Sequence, residues 1–371
     1  MKKGYYIHFQ GRTSIGVGKK IDMQMEEFRK FYDMQEIEIE TPKRAMAERI
    51  IGLFPVCSIR RDYGQALESI ENPAFLYIRR TVADRAYVGF LHQVKQRFPD
   101  CKIIIEIFTY PYDKDDFGKW NAWPFYLKEI IHRRKLKRYV DRFVTYTQDQ
   151  EIFGVPTICT INGINVESIR MVQGEYQENQ LSMIGVAYMQ RQHGYERVIE
   201  GLNDYYHNWD GKYRVYLHLV GDGPEKAKYQ KLVEEYCLQE FVKFYPTMTG
   251  IQLDELYDRS DVALAAFGMY KMGFYGKLSA LKTRECLAKG MLQITGCEID
   301  VLDDSYQYIR NFENGPQKVD IPEVVNFFEN SRKDNMDKQK IARLIREYAV
   351  QHVSIESAMK PIIDYIELSV K

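Results

Sequence analysis

Strand-like and helix-like segments alternate along this chain, pause once, and then begin again. Lys102–Phe108, with Ile103, Ile104 and Ile105 at its centre, is an apolar β-branched run of the kind that fills a parallel strand covered on both faces. Tyr5–Phe9, Ile37–Ile39, Phe75–Ile78, Arg142–Tyr146 and Thr157–Ile161 read as further strands of this first half. Ile21, Met25, Phe28 and Tyr32 recur at helical spacing after a glycine-punctuated loop from Gln10 to Gly18. Val82–Phe98 reads as an amphipathic helix stopped by Pro99, and Trp120–Arg138 as another. Val166–Asn179 is polar and aperiodic, which predicts a linker. Beyond it, strands are expected at Leu181–Ala187, Tyr213–Val220, Phe241–Tyr245, Asp261–Ala266 and Met291–Thr295. Helices are expected at Tyr195–Tyr206, Ala227–Tyr236, Leu253–Arg259 and Leu281–Lys289. The tail from Pro322 is helical and closes on an amphipathic helix near Ile355–Leu368.

Strands separated by helices of this length cannot pair as hairpins, so they form parallel sheets with helices on both faces. Two such series predict an α/β protein of two doubly wound, Rossmann-like domains, residues 1–170 and 171–352, with a last helix at 353–371 packing back on the first domain. Ligands of such sheets bind outside the carboxyl ends of the strands, at a switch in strand order. With two domains, a facing cleft is the expected site.

Composition narrows the function classes. The 371 residues carry 52 Lys+Arg against 52 Asp+Glu, which disfavours a nucleic-acid binder. Residues 1–170 hold 28 basic against 22 acidic side chains, a small surplus that suits an anionic surface or is scatter. The six cysteines form no C-x-x-C pair and suit neither a zinc site nor a disulfide framework. No signal peptide or spanning helix is visible, so the expected location is cytoplasmic, at most at the inner face of the membrane.

The chemistry-bearing positions cluster at the ends of strands. Gly221-Asp222-Gly223-Pro224 follows a strand and leads into a helix, where glycine permits close backbone approach. Gly16-Val17-Gly18 follows the first strand, though not as G-x-G-x-x-G, which disfavours a nicotinamide or flavin enzyme. Lys277, Lys282 and Arg284 surround the start of a helix, where cations and amide N–H groups together suit phosphate. Glu285 there is placed to accept hydrogen bonds from a ribose diol, and each of these charges also reads as an ordinary solvated helix face. Glu106 ends the Ile103–Ile105 run, and a carboxylate there either contacts a substrate hydroxyl or pairs with a neighbouring Lys or Arg. Asp113-x-Asp115, beside Asp116, superficially matches a metal-binding D-x-D but reads as an acidic loop, and no metal site is expected. Trp120, Trp123 and Tyr126 run into Arg133-Arg134-Lys135-Leu136-Lys137-Arg138, a helix suited to an anionic leaflet or simply to solvent.

Taken in order, Ile184-Gly185, His193-Gly194-Tyr195-Glu196-Arg197, Leu219-Val220-Gly221-Asp222-Gly223-Pro224, Val242-Lys243-Phe244, Ser260-Asp261-Val262 and Glu285-Cys286-Leu287-Ala288-Lys289-Gly290 resemble the donor domain of retaining GT-B glycosyltransferases of family 4. The first half, through Glu106–Asp113, Asp141–Thr145 and Asn162–Val166, resembles the bacterial enzymes that build capsular and exopolysaccharide chains. The resemblance implies transfer of a hexosyl group from a nucleotide sugar, a UDP-sugar as the expected donor, to a saccharide or lipid-linked acceptor. It implies retention of configuration and no metal or other cofactor. It places Gly16 and Gly18 against the donor, and Glu106 near the transferred sugar. Of the family's two glutamates around the donor, the second corresponds to Glu285, whereas Lys277 stands at the first. The family's diphosphate-gripping Arg and Lys are replaced near Ala187 and His193, so the grip falls to Arg191, His193, Lys277 and Lys282. The alternatives are a sugar-nucleotide epimerase of similar fold and a catalytically silent carbohydrate-binding subunit.

Overall fold

The computed structural model describes residues 1–9, 15–41, 54, 57–113, 122–208, 211–302, 306–333 and 336–370. The chain divides into two units, Met1–Gly163 with Ile355–Lys371, and Ile164–Ser354.

The first unit contains strands β1 (Lys3–His8), β2 (Asp33–Glu38), β3 (Phe75–Arg79), β4 (Lys102–Ile107), β5 (Arg142–Thr145), β6 (Glu151–Ile152) and β7 (Val155–Cys159). They form one sheet in the order β2-β1-β3-β4-β5-β7-β6, parallel except where β6 turns back on β7. Alternation along the strands divides the core in two. Tyr5, Ile7, Leu76, Ile78, Ile103 and Ile105 face one layer, which contains Tyr87, Phe90 and Leu91 of helix α3 (Arg85–Arg97). Tyr6, Tyr77 and Ile104 face the other, with Ile21, Met25 and Phe28 of α1 (Ile15–Arg29). Helices α2 (Tyr63–Ser69) and α4 (Trp123–Arg133) are the other α-helices among the described residues before residue 164.

Several expectations need correction here. Residues 15–18 are not loop, because α1 already begins at Ile15 and takes Gly16 and Gly18 into its first turns. The helix expected at Val82–Phe98 starts only at Arg85, since Asp84 accepts the Tyr87 N–H at 2.8 Å and so caps it. The one long helix expected to Arg138 is α4, a break, and a short 3-10 turn at Leu136–Arg138. Trp120, Asp115 and Asp116 lie outside the described residues.

The second unit contains β8 (Gln180–Val186), β9 (Arg214–Val220), β10 (Val242–Tyr245), β11 (Val262–Leu264), β12 (Leu292–Thr295) and β13 (Ile309–Asn311). All are parallel, in the order β10-β9-β8-β11-β12-β13. Its helices are α5 (Glu196–His207), α6 (Lys226–Glu235), α7 (Ile251–Asp258), α8 (Leu281–Lys289), α9 (Ile321–Ser331) and α10 (Lys338–His352). The segment expected to be a linker belongs to this unit. Val166 and Val172 are buried in it, and Arg346 of α10 donates to the carbonyls of Val166 at 2.9 Å and Ile169 at 2.7 Å.

The chain then returns to the first unit as α11 (Ile355–Ser369). Ile355, Met359, Ile362 and Ile366 bury one stripe against the α1 layer. At ~1.5–3 kcal/mol for each fully buried apolar side chain, this stripe suffices to fix the helix there. No described helix is long and apolar enough to cross a membrane.

Candidate functional site

The strand order of the second unit is the doubly wound 3-2-1-4-5-6 pattern, which reverses direction between β8 and β11. In such a sheet the connections after these two strands leave toward opposite faces, and the carboxyl edge between them is the expected place for a ligand crevice. The two loops are tied at their roots: the Phe267 N–H donates to the His193 carbonyl at 2.9 Å, and that of Gly268 to Gln192 at 3.0 Å. Arg197, buried in the first turns of α5, holds the same edge by donating to the Phe267 carbonyl at 2.8 Å and to that of Glu313 at 2.9 Å.

The Gly-Asp-Gly turn after β9 lies alongside. Gly221 has φ +125° and Gly223 φ +136°. A Cβ at Gly221 would stand 2.0 Å from the Ala187 carbonyl oxygen, and one at Gly223 2.4 Å from that of Met189. These glycines are therefore required where two edge loops cross, backbone on backbone. Asp222 is exposed, and its Oδ1 accepts the N–H of Gly223 at 2.9 Å.

The cations around α8 separate into three environments. Arg284 is fully buried and pairs with Asp300, so it is not available to phosphate as the sequence allowed. Lys277 is exposed in the preceding loop. Lys282, in the first turn of α8, is half-buried, and its Nζ donates to the Tyr195 hydroxyl at 3.0 Å. It has no carboxylate within ion-pair distance among the described residues. Burial, only partly offset by Cys286 and Glu285, pushes its pKa down to about 8.

His193 sits beside it. The Gln190 N–H donates to Nδ1 at 2.9 Å, which leaves the ring proton on Nε2. Burial and the Lys282 charge push the His193 pKa to about 4, so the ring is neutral at ordinary pH. Nε2–H, with no partner among the described residues, is a neutral donor next to the Lys282 cation. Arg191 is exposed two residues earlier, and Glu285 is exposed on α8. The sequence singled out Lys282 and His193 but missed Tyr195, whose hydroxyl fixes the ammonium. A tyrosine 87 residues away carries no local signal of that role.

In the first unit, Glu106 is fully buried rather than at an edge. Its Oε1 accepts from Gln24 Nε2 at 2.8 Å and from the Tyr146 hydroxyl at 2.6 Å, and Oε2 accepts from Arg79 Nη1 at 3.1 Å. Burial alone would raise its pKa; the charges of Arg79 and Lys20 and the hydrogen bonds from Tyr146 and Gln24 outweigh it and hold the pKa below the ordinary carboxylate value. The ion-pair reading of this residue is the one the geometry carries. Gly16 and Gly18 lie in the first turns of α1 rather than in a loop. Asp113 pairs with Arg133 at 2.7 Å. On α4 and the turn after it, Trp123, Ile130 and Ile131 are exposed, as are Arg134, Lys135, Lys137 and Arg138.

A cavity of ≈ 500 Å³ between α5 and α9 is lined by Asp204, Tyr205, Lys318 and Ile321 among others, and contains none of these residues. It is a groove between two surface helices, whereas Lys282 lies at the switch point.

Residues 165–269 match the family model of glycosyl transferases group 1. No curated protein matches the sequence. Among solved structures, a glycosyltransferase from Rickettsia africae superposes with a TM-score of 0.64 at 11% identity, covering 100% of both chains. The Anabaena protein HepE, solved in complex with UDP, gives 0.64 at 11% identity over 99% of this chain and 100% of its own. The lipopolysaccharide outer core galactosyltransferase WaaB, in its apo form, gives 0.58 at 12% identity over 99% of each chain. At such identities the likeness shows the fold: two Rossmann-like parallel-sheet domains of GT-B type with C-terminal helices. The family match and the fold together support a GT-B glycosyltransferase.

Proposed function

We propose that this chain transfers a hexosyl group from a nucleotide sugar, a UDP-sugar by preference, to a saccharide or lipid-linked saccharide acceptor. The observation that carries the proposal is Lys282: an ammonium in the first turn of a helix, at a topological switch point, held by a tyrosine hydroxyl and with no carboxylate partner among the described residues. An uncompensated cation beside helix N-terminal amides is a site for a diphosphate. In this reading Lys282 and the His193 Nε2–H meet the donor phosphates, with exposed Arg191 and Lys277 adding charge from the loops. Glu285, farther along α8, accepts hydrogen bonds from the ribose diol. Negative charge grows on the diphosphate as the glycosidic bond breaks, so a fixed cation there stabilises the transition state more than the ground state.

The remaining features are part of the same proposal. Retention of configuration without a metal, a role in bacterial surface polysaccharide synthesis and a cytoplasmic location follow the resemblance to family 4. Similarity to HepE, solved with UDP, and to the galactosyltransferase WaaB supports the donor class. Trp123, Ile130 and Ile131 beside four exposed cations suit shallow contact with an anionic leaflet.

Equilibrium binding and hydrolysis with a panel of nucleotide sugars test the central claim. Tight binding of one UDP-sugar, weakened by Glu285→Ala, is expected. If no nucleotide sugar binds or turns over, the proposal is wrong.

A further inference from the structure

The sheet of the first unit has a switch point of its own. Its order β2-β1-β3 places the reversal between β1 and β3, so the carboxyl ends at His8 and Arg79 flank a second topological crevice. The pairing puts side chains from several strands in one row. Ile7 pairs with Ile78, which sets His8 opposite Arg79; Arg79 pairs with Glu106. Strand alternation sends these three to the same face as Tyr6 and Tyr77. The row is polar where the rest of that face is aromatic and aliphatic. His8 Nε2 lies 2.9 Å from Glu36 Oε1, and Arg79 Nη1 lies 3.1 Å from Glu106 Oε2.

The row is not closed upon itself. His8 Nδ1 is buried and has no partner among the described residues. Arg79 uses Nη1 on Glu106, and its other donors meet only the Tyr6 hydroxyl among the described residues. Burial opposes the Arg79 charge, but Glu106 outweighs it and the guanidinium stays protonated. Beside it, the Phe108 ring is 39% exposed, with the Arg79 guanidinium 5.1 Å and that of Arg80 5.9 Å from its centre. Arg80 is in turn stacked on Tyr112 at 3.7 Å. A fully buried carboxylate thus anchors a guanidinium from below, and the guanidinium adjoins the part-exposed Phe108 ring.

We propose that this edge of the first unit binds a saccharide carrying an oxyanion, with Arg79 gripping the anion, Phe108 supplying a platform for the sugar ring, and Glu106 acting as a positioning residue beneath Arg79. The planar fork of arginine matches a carboxylate or a phosphate monoester, and charge-assisted bonds of this kind discriminate strongly against a neutral hydroxyl. Aromatic faces pack against the apolar faces of sugar rings without selecting charge. In naming a saccharide, the proposal rests on the glycosyltransferase reading.

The test uses the full chain without nucleotide. Calorimetric titration compares an oligosaccharide bearing a uronic acid, a sugar phosphate monoester, and a neutral oligosaccharide of matching size. At least one anionic probe is expected to bind about tenfold or more tightly than the neutral one, and the two anionic arms tell carboxylate from phosphate. Arg79→Lys, which keeps the charge over Glu106, is expected to reduce that preference to below about threefold. Phe108→Ala, an exposed position, is expected to weaken every probe alike. UDP affinity stays unchanged in both variants, which reports that the fold is intact. Charge preference that persists when UDP does not bind supports this site and counts only against the donor assignment. The proposal is overturned if no probe binds at millimolar concentration, if the neutral probe binds as tightly as the anionic ones, or if Arg79→Lys leaves the preference intact. A parallel loss of UDP affinity in Arg79→Lys would place Arg79 on the donor and overturn it as well.

Discussion

Replacing Lys282 with methionine should stabilise the protein while weakening its hold on UDP. The ordinary lysine value is 10.5 and burial brings Lys282 to about 8. At about 1.4 kcal/mol for each pH unit, holding that proton in the folded state is unfavourable by about 3 kcal/mol. Because the folded pKa lies below the unfolded one, the penalty is complete below pH 8, fades between 8 and 10.5, and is absent above. Methionine fills a similar volume without a charge. It also forfeits the bond to the Tyr195 hydroxyl, about 1 kcal/mol. The net gain near pH 7 is therefore about 2 kcal/mol, or roughly 4–8 °C in melting temperature for a unit of this size. By pH 10.5 the gain should have vanished.

The same substitution removes the cation assigned to the diphosphate. A hydrogen bond to a charged group contributes about 1.5–3 kcal/mol, so the Kd for UDP should rise roughly 10- to 100-fold. Thermal melts at pH 7 and pH 10.5, with UDP titrations of both proteins at pH 7, separate the possibilities. A lysine with only a structural role would give lower stability and an unchanged Kd. Destabilisation at pH 7, or a Kd within about twofold of the parent, would refute the reasoning.

Gly221→Ala should cost about 3 kcal/mol or more in urea denaturation, because its Cβ meets the Ala187 carbonyl oxygen at 2.0 Å. Gly211→Ala, with φ +81° but nothing within 4 Å, should lose only about 1 kcal/mol, and equal losses would show that the loop crossing is not the reason for Gly221. Glu106→Gln should cost about 3 kcal/mol at pH 7 by leaving Arg79 without its counter-charge. The folded pKa of Glu106 is depressed, so its contribution is present above the ordinary value of 4.5 and lost as pH falls through the lower folded value; the variant's stability should fall less steeply with acid there, and an identical slope would count against the assignment. Flotation with anionic vesicles should recover more protein than with neutral ones, and replacing Arg134, Lys135, Lys137 and Arg138 by glutamine should remove the difference. Equal recovery on both vesicles would exclude the leaflet contact.

The alternation of strands and helices was legible because it is local. Ile103–Ile105 is apolar on both faces, and Ile21, Met25 and Phe28 recur at helical spacing, so each segment announces its own type. Strand order is not local, and it is strand order that creates the two crevices. Nothing near residue 8 indicates that β1 lies between β2 and β3. The shortest elements, Glu151–Ile152 and Ile309–Asn311, escaped because two or three residues carry no period. The stretch Ile15–Gly18 was read as loop because glycine disfavours helix interiors, yet in the structure it is already helical.

Within the candidate site, residue type was legible and environment was not. Lys282 and Arg284 are two positions apart on α8, and on a helix that spacing turns them to nearly opposite sides. Both read as cations at a helix start. Only the fold brings Asp300 to Arg284 and leaves Lys282 with a tyrosine hydroxyl. The same distinction governs Glu106, which the sequence offered as a reacting group. Arg79 of β3, Gln24 of α1 and Tyr146, the residue after β5, all donate to it. A buried charge whose partners are all protein is fixed in place and positions others. A charge that the fold has partly removed from water and left without a counter-charge lowers stability unless a ligand supplies one. By that criterion Lys282 is the proposed ligand contact of the second unit, whereas Arg79, which has Glu106 as its counter-charge, is proposed for the first on its place beside the part-exposed Phe108 ring.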